Sequence, residues 1–266
     1  MSPNPIALNL GVVQIHWYGL LIVLGAVLGS YVVIVLARRK GISKDTILDL
    51  VFYLAIFGIL GARLYYVLYD LPYYLAHPIE IPLVWHGGLG IFGAIIAGAL
   101  TTYIFCRIKK ISFFVMTDLL VFGLIIGQIF GRMGNFFNQE LYGAPTTMPW
   151  GIAIDSAHRM QGFENFTHFH PTFLYESILN LTALGVMWVA QKQTKGRAGV
   201  VTGVYFIMYG IIRAFTETLR IDWSPEALGM RVGFWFASGA ILVGVLLIIQ
   251  ALTYSFTRLF RGIISK

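Results

Sequence analysis

Residues 16–37 read HWYGLLIVLGAVLGSYVVIVLA, and the basic residues Arg38, Arg39 and Lys40 follow directly. A helix needs about 20 mostly apolar residues to cross the hydrocarbon core of a bilayer. A cleavable signal peptide carries its basic residues before the apolar stretch, whereas here they come after it. The stretch therefore predicts a retained transmembrane helix.

Six further apolar stretches follow the first one. The seven stretches cover residues 16–37, 46–69, 88–106, 113–131, 173–191, 199–219 and 232–255. Apolar residues make up 58% of the 266-residue chain and charged residues only 12%, whereas about 25% of the residues of a soluble domain are charged. The composition predicts an all-α integral membrane protein with seven transmembrane helices, forming a single domain over residues 1–266.

The basic residues are distributed unevenly between the two sides of the predicted membrane. Thirteen of the 19 Lys and Arg residues follow the first, third, fifth and seventh stretches. The connections on the opposite side hold only Arg132, Arg159, Arg220 and Arg231. Cytoplasmic connections carry the excess of basic residues, so we expect the N-terminus outside and the C-terminus in the cytoplasm. This distribution accounts for the net charge of +7 without a nucleic-acid partner.

Several polar residues fall within the predicted spans, mostly in their outer halves. A charge at mid-membrane costs roughly 2.5–3.5 kcal/mol, so it usually faces a cavity or a partner. The outer-half set comprises His16, Arg63, Glu176, Arg213 and Glu217. We expect this set to line a polar cavity in the outer half of the bilayer. Asp118, near the inner end of the fourth span, is interpreted as a structural residue.

Simpler explanations exist for parts of this set. His16 and its two aromatic neighbours could form an interfacial aromatic belt. Arg213, Glu217 and Arg220 are spaced i, i+4 and i+7, so they lie on one helix face and could form only an intrahelical ion pair. The shared depth of all these residues favours a functional site.

The long connection 132–172 begins with the motif GRMGNFFNQELYG at residues 131–143. Its polar side chains follow no helical period, and its glycines at 131, 134 and 143 allow close backbone approach and positive φ angles. We expect a non-helical, polar pocket floor at the outer surface, followed by a small extramembrane segment.

Two other segments stand out. HPTFLYE at residues 170–176 opens the fifth span, because Pro171 suits the first turn of a helix. His170 is then expected just outside the span and Glu176 just inside it. WHGGLGIFG at residues 85–93 contains small residues that allow close packing of the third span.

In these segments the sequence resembles the bacterial prolipoprotein diacylglyceryl transferase family. The similarity is carried, in the family's order, by HWYG at 16–19, GAR at 61–63, the three segments 85–93, 131–143 and 170–176, and Arg213, Glu217 and Arg220. The resemblance implies a multi-pass protein of the bacterial cytoplasmic (inner) membrane, with its active site facing outward. It implies neither a cofactor nor a metal ion.

The resemblance also implies the reaction. The diacylglyceryl group of phosphatidylglycerol passes to the thiol of the lipobox cysteine in a prolipoprotein signal peptide, a thioether forms, and glycerol-1-phosphate leaves. By this resemblance the family's essential arginines fall on Arg132 and Arg213, and its other important residues on Tyr18, Asn135, Glu140 and Gly143. Further candidates are His16 for catalysis and Arg63, His170, Glu176, Glu217 and Arg220 for substrate binding.

The implied chemistry suits the residue types. The planar guanidinium of arginine binds phosphate through two nitrogens. The nucleophilic thiol belongs to the substrate, so the single cysteine, Cys106, at the cytoplasmic end of the third span, is not required. The base for the thiol proton stays open among Glu140, His16, His170 and Tyr18, because Phe92 stands where some family members have a histidine.

Two other functions are compatible with a membrane protein of this composition. One is a transporter or flippase for an anionic lipid headgroup, and the other is a non-catalytic scaffold. A transporter opens to both sides and should carry polar residues at both depths. Here the polar set is confined to the outer half, with Asp118 as the exception. This confinement favours the transferase.

The distribution of basic residues generates a topology prediction. A reporter that is active only outside the cytoplasm should be active when fused after residue 145 and inactive when fused after residue 195. The first position lies in a connection with few basic residues and the second in a connection rich in them. Reporter activity of the two fusions measures this directly. The reverse pattern would overturn the orientation.

Overall fold

The computed structural model describes residues 3–11 and 14–264, with side chains up to residue 253. Its helices are α1 (Trp17–Arg38), α2 (Lys44–Tyr69), the short α3 (Leu71–Ala76), α4 (Ile91–Lys109), α5 (Phe113–Asn138), α6 (Thr172–Gln193), α7 (Val200–Leu219) and α8 (Val232–Ile264). In the described part of the chain, seven of them are long and apolar enough to cross a membrane. The predicted class of all-α membrane protein is confirmed.

The basic residues counted after the seventh span lie at the edge of this description. Lys266 is outside the described residues, and the side chains of Arg258 and Arg261 are outside the described side chains. The expected cytoplasmic C-terminus therefore stays a prediction.

Helix α5 is longer than its apolar stretch. We expected the span to end at residue 131 and the motif to be non-helical, but the helix continues to Asn138. The first half of the motif therefore forms the last two turns of α5. A helix satisfies its own backbone hydrogen bonds, so it can continue past its apolar residues where polar side chains such as Arg132 find partners.

Short local interactions fix other helix ends. The Ser43 side chain accepts a hydrogen bond of 3.1 Å from the backbone N–H of Thr46, which caps the start of α2. Lys110 adopts a left-handed conformation with φ of 57° after α4, a common way to end a helix. Only two residues, 111 and 112, then separate Lys110 from the first residue of α5.

Three short antiparallel hairpins accompany the helices. They are β1 (Ile6–Asn9) with β2 (Gln14–His16), β3 (Ile152–Ala153) with β4 (His168–Phe169), and β5 (Glu226–Ala227) with β6 (Met230–Arg231). Strand β2 leads directly into α1, and β6 leads directly into α8. The hairpins thus fix how the chain enters these two helices.

The chain forms two compact units, and the first comprises residues up to 32 together with those from 120 onward. In this unit glycines bring the helix backbones into contact. A Cβ atom built on Gly29 of α1 would lie 2.7 Å from the carbonyl oxygen of Gly123 in α5. A Cβ on Gly203 of α7 would lie 2.8 Å from the carbonyl oxygen of Gly244 in α8. Such small residues let membrane helices pack closely.

The second unit comprises residues 33–119. Helices α2 and α4 pack against each other here through Gly61 and Gly93. A Cβ atom on Gly61 would lie 2.7 Å from the carbonyl oxygen of Gly93. The expectation that the glycines of the 85–93 segment serve helix packing is therefore correct for Gly93.

The contact of α1 with α5 generates a stability prediction. Gly29→Ala should destabilise the protein by about 1–3 kcal/mol, because the new methyl group overlaps the Gly123 backbone, which cannot move without shifting α5. Thermal unfolding in detergent micelles should show a lower Tm. Gly19→Ala is the control on the same helix, since a Cβ there meets nothing within 4 Å. Equal Tm values for the two variants would contradict this packing.

Candidate functional site

Arg132 and Asn135 lie one turn apart near the end of α5, in the first compact unit. The Nε of Arg132 forms an ion pair with the carboxylate of Glu176, from the second turn of α6. Its Nη1 donates to Asn135 Oδ1 at 3.5 Å. Glu176 is buried, and Arg132 stays partly accessible. The structure thus brings together two site residues predicted from separate motifs.

Glu140 joins the same network from just beyond the helix. Its Oε1 accepts hydrogen bonds from Asn135 Nδ2 at 2.8 Å and from Asn138 Nδ2 at 3.0 Å. The residues on either side, Gln139 and Leu141, have positive φ angles of 51° and 54°. The prediction that the motif's glycines supply positive φ is wrong, because these two residues make the turn.

Gly143 permits a close backbone approach. Its N–H donates to the carbonyl oxygen of His170 at 2.8 Å, and the next N–H, of Ala144, donates to the carbonyl oxygen of Leu219 at 3.0 Å. A Cβ on Gly143 would lie 2.6 Å from Thr172 Cγ2 and 2.8 Å from the Leu219 oxygen. Gly143 therefore joins the motif to the start of α6 and the end of α7.

The connecting segment (residues 139–171) has its own small core. Tyr142, Ile154 and Phe169 are fully buried and pack together. The Tyr142 hydroxyl donates to the carbonyl oxygen of His158 at 2.8 Å. Burial raises the pKa of this hydroxyl, so it stays protonated and keeps its role as a donor. The core gives the polar motif a fixed support.

Tyr18 packs directly on the motif. A Cβ on Gly134 would lie 2.6 Å from Tyr18 Cδ2, so only glycine lets the ring lie against α5. Trp17 stacks on Phe137 with ring centroids 5.1 Å apart. The side chain of His16 is exposed on β2 and has no hydrogen-bond or ion-pair partner among the described residues. The structure thus brings Tyr18 to the motif but gives His16 no such contact.

His170 is the end of a hydrogen-bond chain. Trp150 Nε1 donates to the Tyr175 hydroxyl at 2.7 Å, and this hydroxyl lies 3.1 Å from His170 Nδ1. Because the indole nitrogen can only donate, the Tyr175 hydroxyl accepts from Trp150, and its contact with Nδ1 orients the His170 ring. The other ring nitrogen, Nε2, makes no hydrogen bond with a described residue.

Arg213 and Glu217 form the ion pair that their spacing predicts, with Nη2 and Oε2 2.6 Å apart on α7. The Glu217 side chain is completely buried. A second arginine, Arg231, contacts the other carboxylate oxygen, with Nε 3.0 Å from Oε1. Two guanidinium groups therefore share one carboxylate, and the group as a whole carries one positive charge.

Arg220 follows α7 and is bound by Asp222 through two contacts, Nε to Oδ1 at 2.7 Å and Nη2 to Oδ2 at 2.8 Å. Burial alone would lower the pKa of Arg220, but the hydrogen bonds and charge of Asp222 raise it above its ordinary value. Burial acts to raise the pKa of Asp222, yet Arg220 holds it below its ordinary value. This pair is ionised at neutral pH.

Arg220 interacts with the carboxylates of both arginine–glutamate pairs. The carboxylates of Glu176 and Glu217 both raise its pKa. The carbonyl oxygen of Arg220 accepts a hydrogen bond of 2.7 Å from Nη1 of Arg231, whose Nε contacts Glu217. The backbone of Arg220 forms an isolated bridge with Gly143. The motif and the two pairs therefore form one connected group of polar residues.

Arg63 lies in the second compact unit, where its partners are backbone oxygens. Its Nε donates to the carbonyl of Ile81 at 2.9 Å, and its Nη1 donates to those of Gly87 and Gly88 at 2.6 and 3.0 Å. Its Nη2 donates to the carbonyl of Glu80. The guanidinium is buried and holds a loop in place. Its predicted binding of substrate stays untested, and these contacts favour a structural role.

Some site residues were missed by sequence reasoning. Arg231 was counted only as a basic residue of a connection, although its position at the start of an apolar span was a usable signal. Gln139 pairs with Asp155 through two hydrogen bonds of 2.7 and 2.8 Å, which no sequence pattern indicates. Among the described residues, no three His, Cys, Asp or Glu side chains lie close enough to hold a metal ion.

Comparison with known proteins adds independent support. The family model described as prolipoprotein diacylglyceryl transferase matches residues 5–250. Three relatives named phosphatidylglycerol--prolipoprotein diacylglyceryl transferase are similar to this chain. The one from Acaryochloris marina is 44% identical, covering 83% of this chain and 81% of the relative. The one from Synechococcus elongatus is 40% identical, covering 92% and 86%. The one from Finegoldia magna is 39% identical, covering 92% and 94%.

The match covers nearly the whole chain and includes all of the segments that carry the site. Its bounds contain Tyr18, the motif at 131–143, and the arginines of α5 and α7. The resemblance found in the sequence is thereby confirmed. The chain belongs to the prolipoprotein diacylglyceryl transferase family.

Proposed function

We propose that this chain transfers the diacylglyceryl group of phosphatidylglycerol to the thiol of the lipobox cysteine of a prolipoprotein. The names of its relatives give the donor lipid, the transferred group and the prolipoprotein acceptor. The observation that carries the proposal is the state of Arg132 and Arg213. Each has one carboxylate partner and remains about a quarter exposed, with side-chain exposures of 29% and 21%. Each can therefore still bind an anion.

In the proposed reaction, the thiolate sulfur attacks the carbon of the diacylglyceryl group that is bound to a phosphate oxygen. A C–S bond forms and the C–O bond breaks, with its electron pair passing to the phosphate of the leaving glycerol-1-phosphate. Negative charge grows on this phosphate. Arg132 and Arg213 bind it there, and preorganised donors of this kind contribute most where charge develops. No cysteine of the enzyme takes part, in keeping with the burial of Cys106.

The proposal includes the orientation and place of the site. The N-terminus and the connecting segment lie outside the cytoplasm, and the polar site occupies the outer half of the cytoplasmic membrane of a bacterium. The basic residues after the first, third and fifth spans support this orientation. Both substrates are embedded in the bilayer, so phosphatidylglycerol and the signal peptide enter from the lipid.

We further propose that Glu140 accepts the thiol proton. Its Oε1 is fixed by Asn135 and Asn138, and the described residues provide no hydrogen bond to its Oε2. His170 has its Nδ1 in contact with the Tyr175 hydroxyl, which leaves only its Nε2 for a substrate. Glu140 is exposed, so a substrate can reach it.

The direct test is transfer by the purified protein. Labelled phosphatidylglycerol and a peptide with a lipobox cysteine should yield a thioether-linked lipopeptide and glycerol-1-phosphate. Release of phosphatidic acid, or movement of lipid without a product, would overturn the proposal. The second of these results would indicate the transporter alternative.

Arg132→Lys and Arg213→Lys should each lower kcat by about 100–1000-fold. Lysine keeps the charge but has one nitrogen, which the neighbouring carboxylate would occupy. Steady-state transfer assays measure the loss, with Tm as a check on folding. Arg39→Lys is the matched control, because Arg39 is exposed and outside the site. Full turnover by both site variants would exclude a role of the two arginines in binding phosphate.

Glu140→Gln should slow transfer strongly at neutral pH and less above pH about 8.5, where a free thiol ionises without a base. The glutamine still accepts hydrogen bonds at one oxygen, so the contacts of Asn135 and Asn138 can persist. The kcat/KM profile against pH measures this. Glu164→Gln, in the connecting segment, is the control. A loss that is equal at every pH would argue against Glu140 as the base.

A further inference from the structure

The carboxylate of Glu217 has one arginine on each oxygen. Arg213 contacts Oε2 and Arg231 contacts Oε1. Arg213 lies four residues earlier on the same helix, whereas Arg231 comes from the residue before α8. The carboxylate itself has no exposed surface, so its two oxygens depend on these two partners for neutralisation.

The two arginines differ in how many of their donors are used. The Nη1 of Arg231 donates to the carbonyl of Arg220 at 2.7 Å and to that of Glu217 at 3.3 Å, and its Nη2 donates to that of Asp222 at 2.6 Å. All three of its nitrogens are therefore occupied. Among the described residues, the guanidinium of Arg213 has only its contact with Glu217. Arg213 is the arginine that can still bind an anion.

The start of α8 holds Glu217 in place. A Cβ on Gly233 would overlap both oxygens and the carboxyl carbon of Glu217, so only glycine accommodates the carboxylate there. The N-terminus of a helix also attracts negative charge. Together with Arg231, which contacts Oε1, these features hold the Glu217 carboxylate against the start of α8.

This arrangement determines what Arg213 can do. An arginine and a glutamate spaced i, i+4 can form a two-nitrogen pair in which the carboxylate uses both oxygens. Such a pair would be neutral and would occupy the nitrogens that an anionic substrate needs. Because Oε1 is held by Arg231, Glu217 offers Arg213 a single oxygen.

We propose that Arg231 is a positioning residue that keeps Arg213 available for the lipid phosphate by holding the second oxygen of Glu217. This inference rests on the proposed function. Arg231 itself does not contact the substrate, since its donors are used within the protein. Its effect on the reaction passes through Glu217 to Arg213.

The test compares Arg231→Gln with Arg231→Lys in purified protein, measuring kcat, KM for phosphatidylglycerol and Tm. Arg231→Gln should lower kcat/KM by about 10–100-fold, a loss typical of removing one partner of a close charge pair, with a raised KM. Arg231→Lys should recover most of this loss, because an ammonium group can still neutralise Oε1. Neither replacement can make all of the contacts that the guanidinium makes with backbone carbonyls, so a purely structural role predicts equal losses. Equal losses would therefore overturn the proposal.

The double variant Arg231→Gln, Glu217→Gln gives a second, independent readout. Removing the charge of Glu217 releases Arg213, so the double variant should bind phosphatidylglycerol more tightly than Arg231→Gln alone. A further loss of affinity would overturn the proposal. Arg39→Gln is the control for removal of a positive charge outside the site and should bind the lipid as the wild type does.

The design distinguishes a failure of the proposed function from a failure of the role given to Arg231. If wild-type protein made no thioether product, the proposed function would fail, while the order of lipid affinities among the variants would still test the role of Arg231. If Arg231→Gln did not fold, Gly233→Ala would replace it, because the methyl group displaces the Glu217 carboxylate without changing any charge. Unchanged KM and kcat in a folded Gly233→Ala variant would contradict the arrangement.

Discussion

The site depends on the pairing of buried carboxylates with arginines. Glu176 and Glu217 are almost completely enclosed, and each lies in a helix that can span a membrane. An unpaired charge in such a place is costly, so each carboxylate holds an arginine near it. The pairing is incomplete on the arginine side, because Arg132 and Arg213 keep donors that no described residue uses. A site that neutralises its own charges in part remains able to attract an anionic lipid.

Glycines in the surrounding backbone let the paired groups approach one another. Gly134 lets Tyr18 lie on α5, and Gly143 lets the motif approach the ends of α6 and α7. Gly233 does the same for the Glu217 carboxylate at the start of α8. These three glycines lie in different segments, yet each removes a side chain at a point where polar groups must meet. Their role is close approach rather than an unusual φ angle, since none of them adopts a positive φ.

Five of the described arginines fall into three kinds according to their partners. Arg63 and Arg231 use their nitrogens on backbone carbonyls or on a carboxylate and have none left. Arg220 is bound by Asp222 through two contacts. Arg132 and Arg213 keep nitrogens available. The residue type is the same for all five, so only their partners distinguish an arginine that can bind an anion from a structural one.

The sequence by itself determined the seven spans, the uneven distribution of basic residues and most of the candidate site residues. Span length and composition are local properties, and the membrane imposes them on each segment separately. The tertiary structure decided the rest. It continued α5 to Asn138, supplied the carbonyl partners of Arg63, and placed Arg231 on Glu217. These contacts join residues that are distant in the chain. They depend on which side chains become neighbours when the helices pack, and no local sequence pattern contains that information.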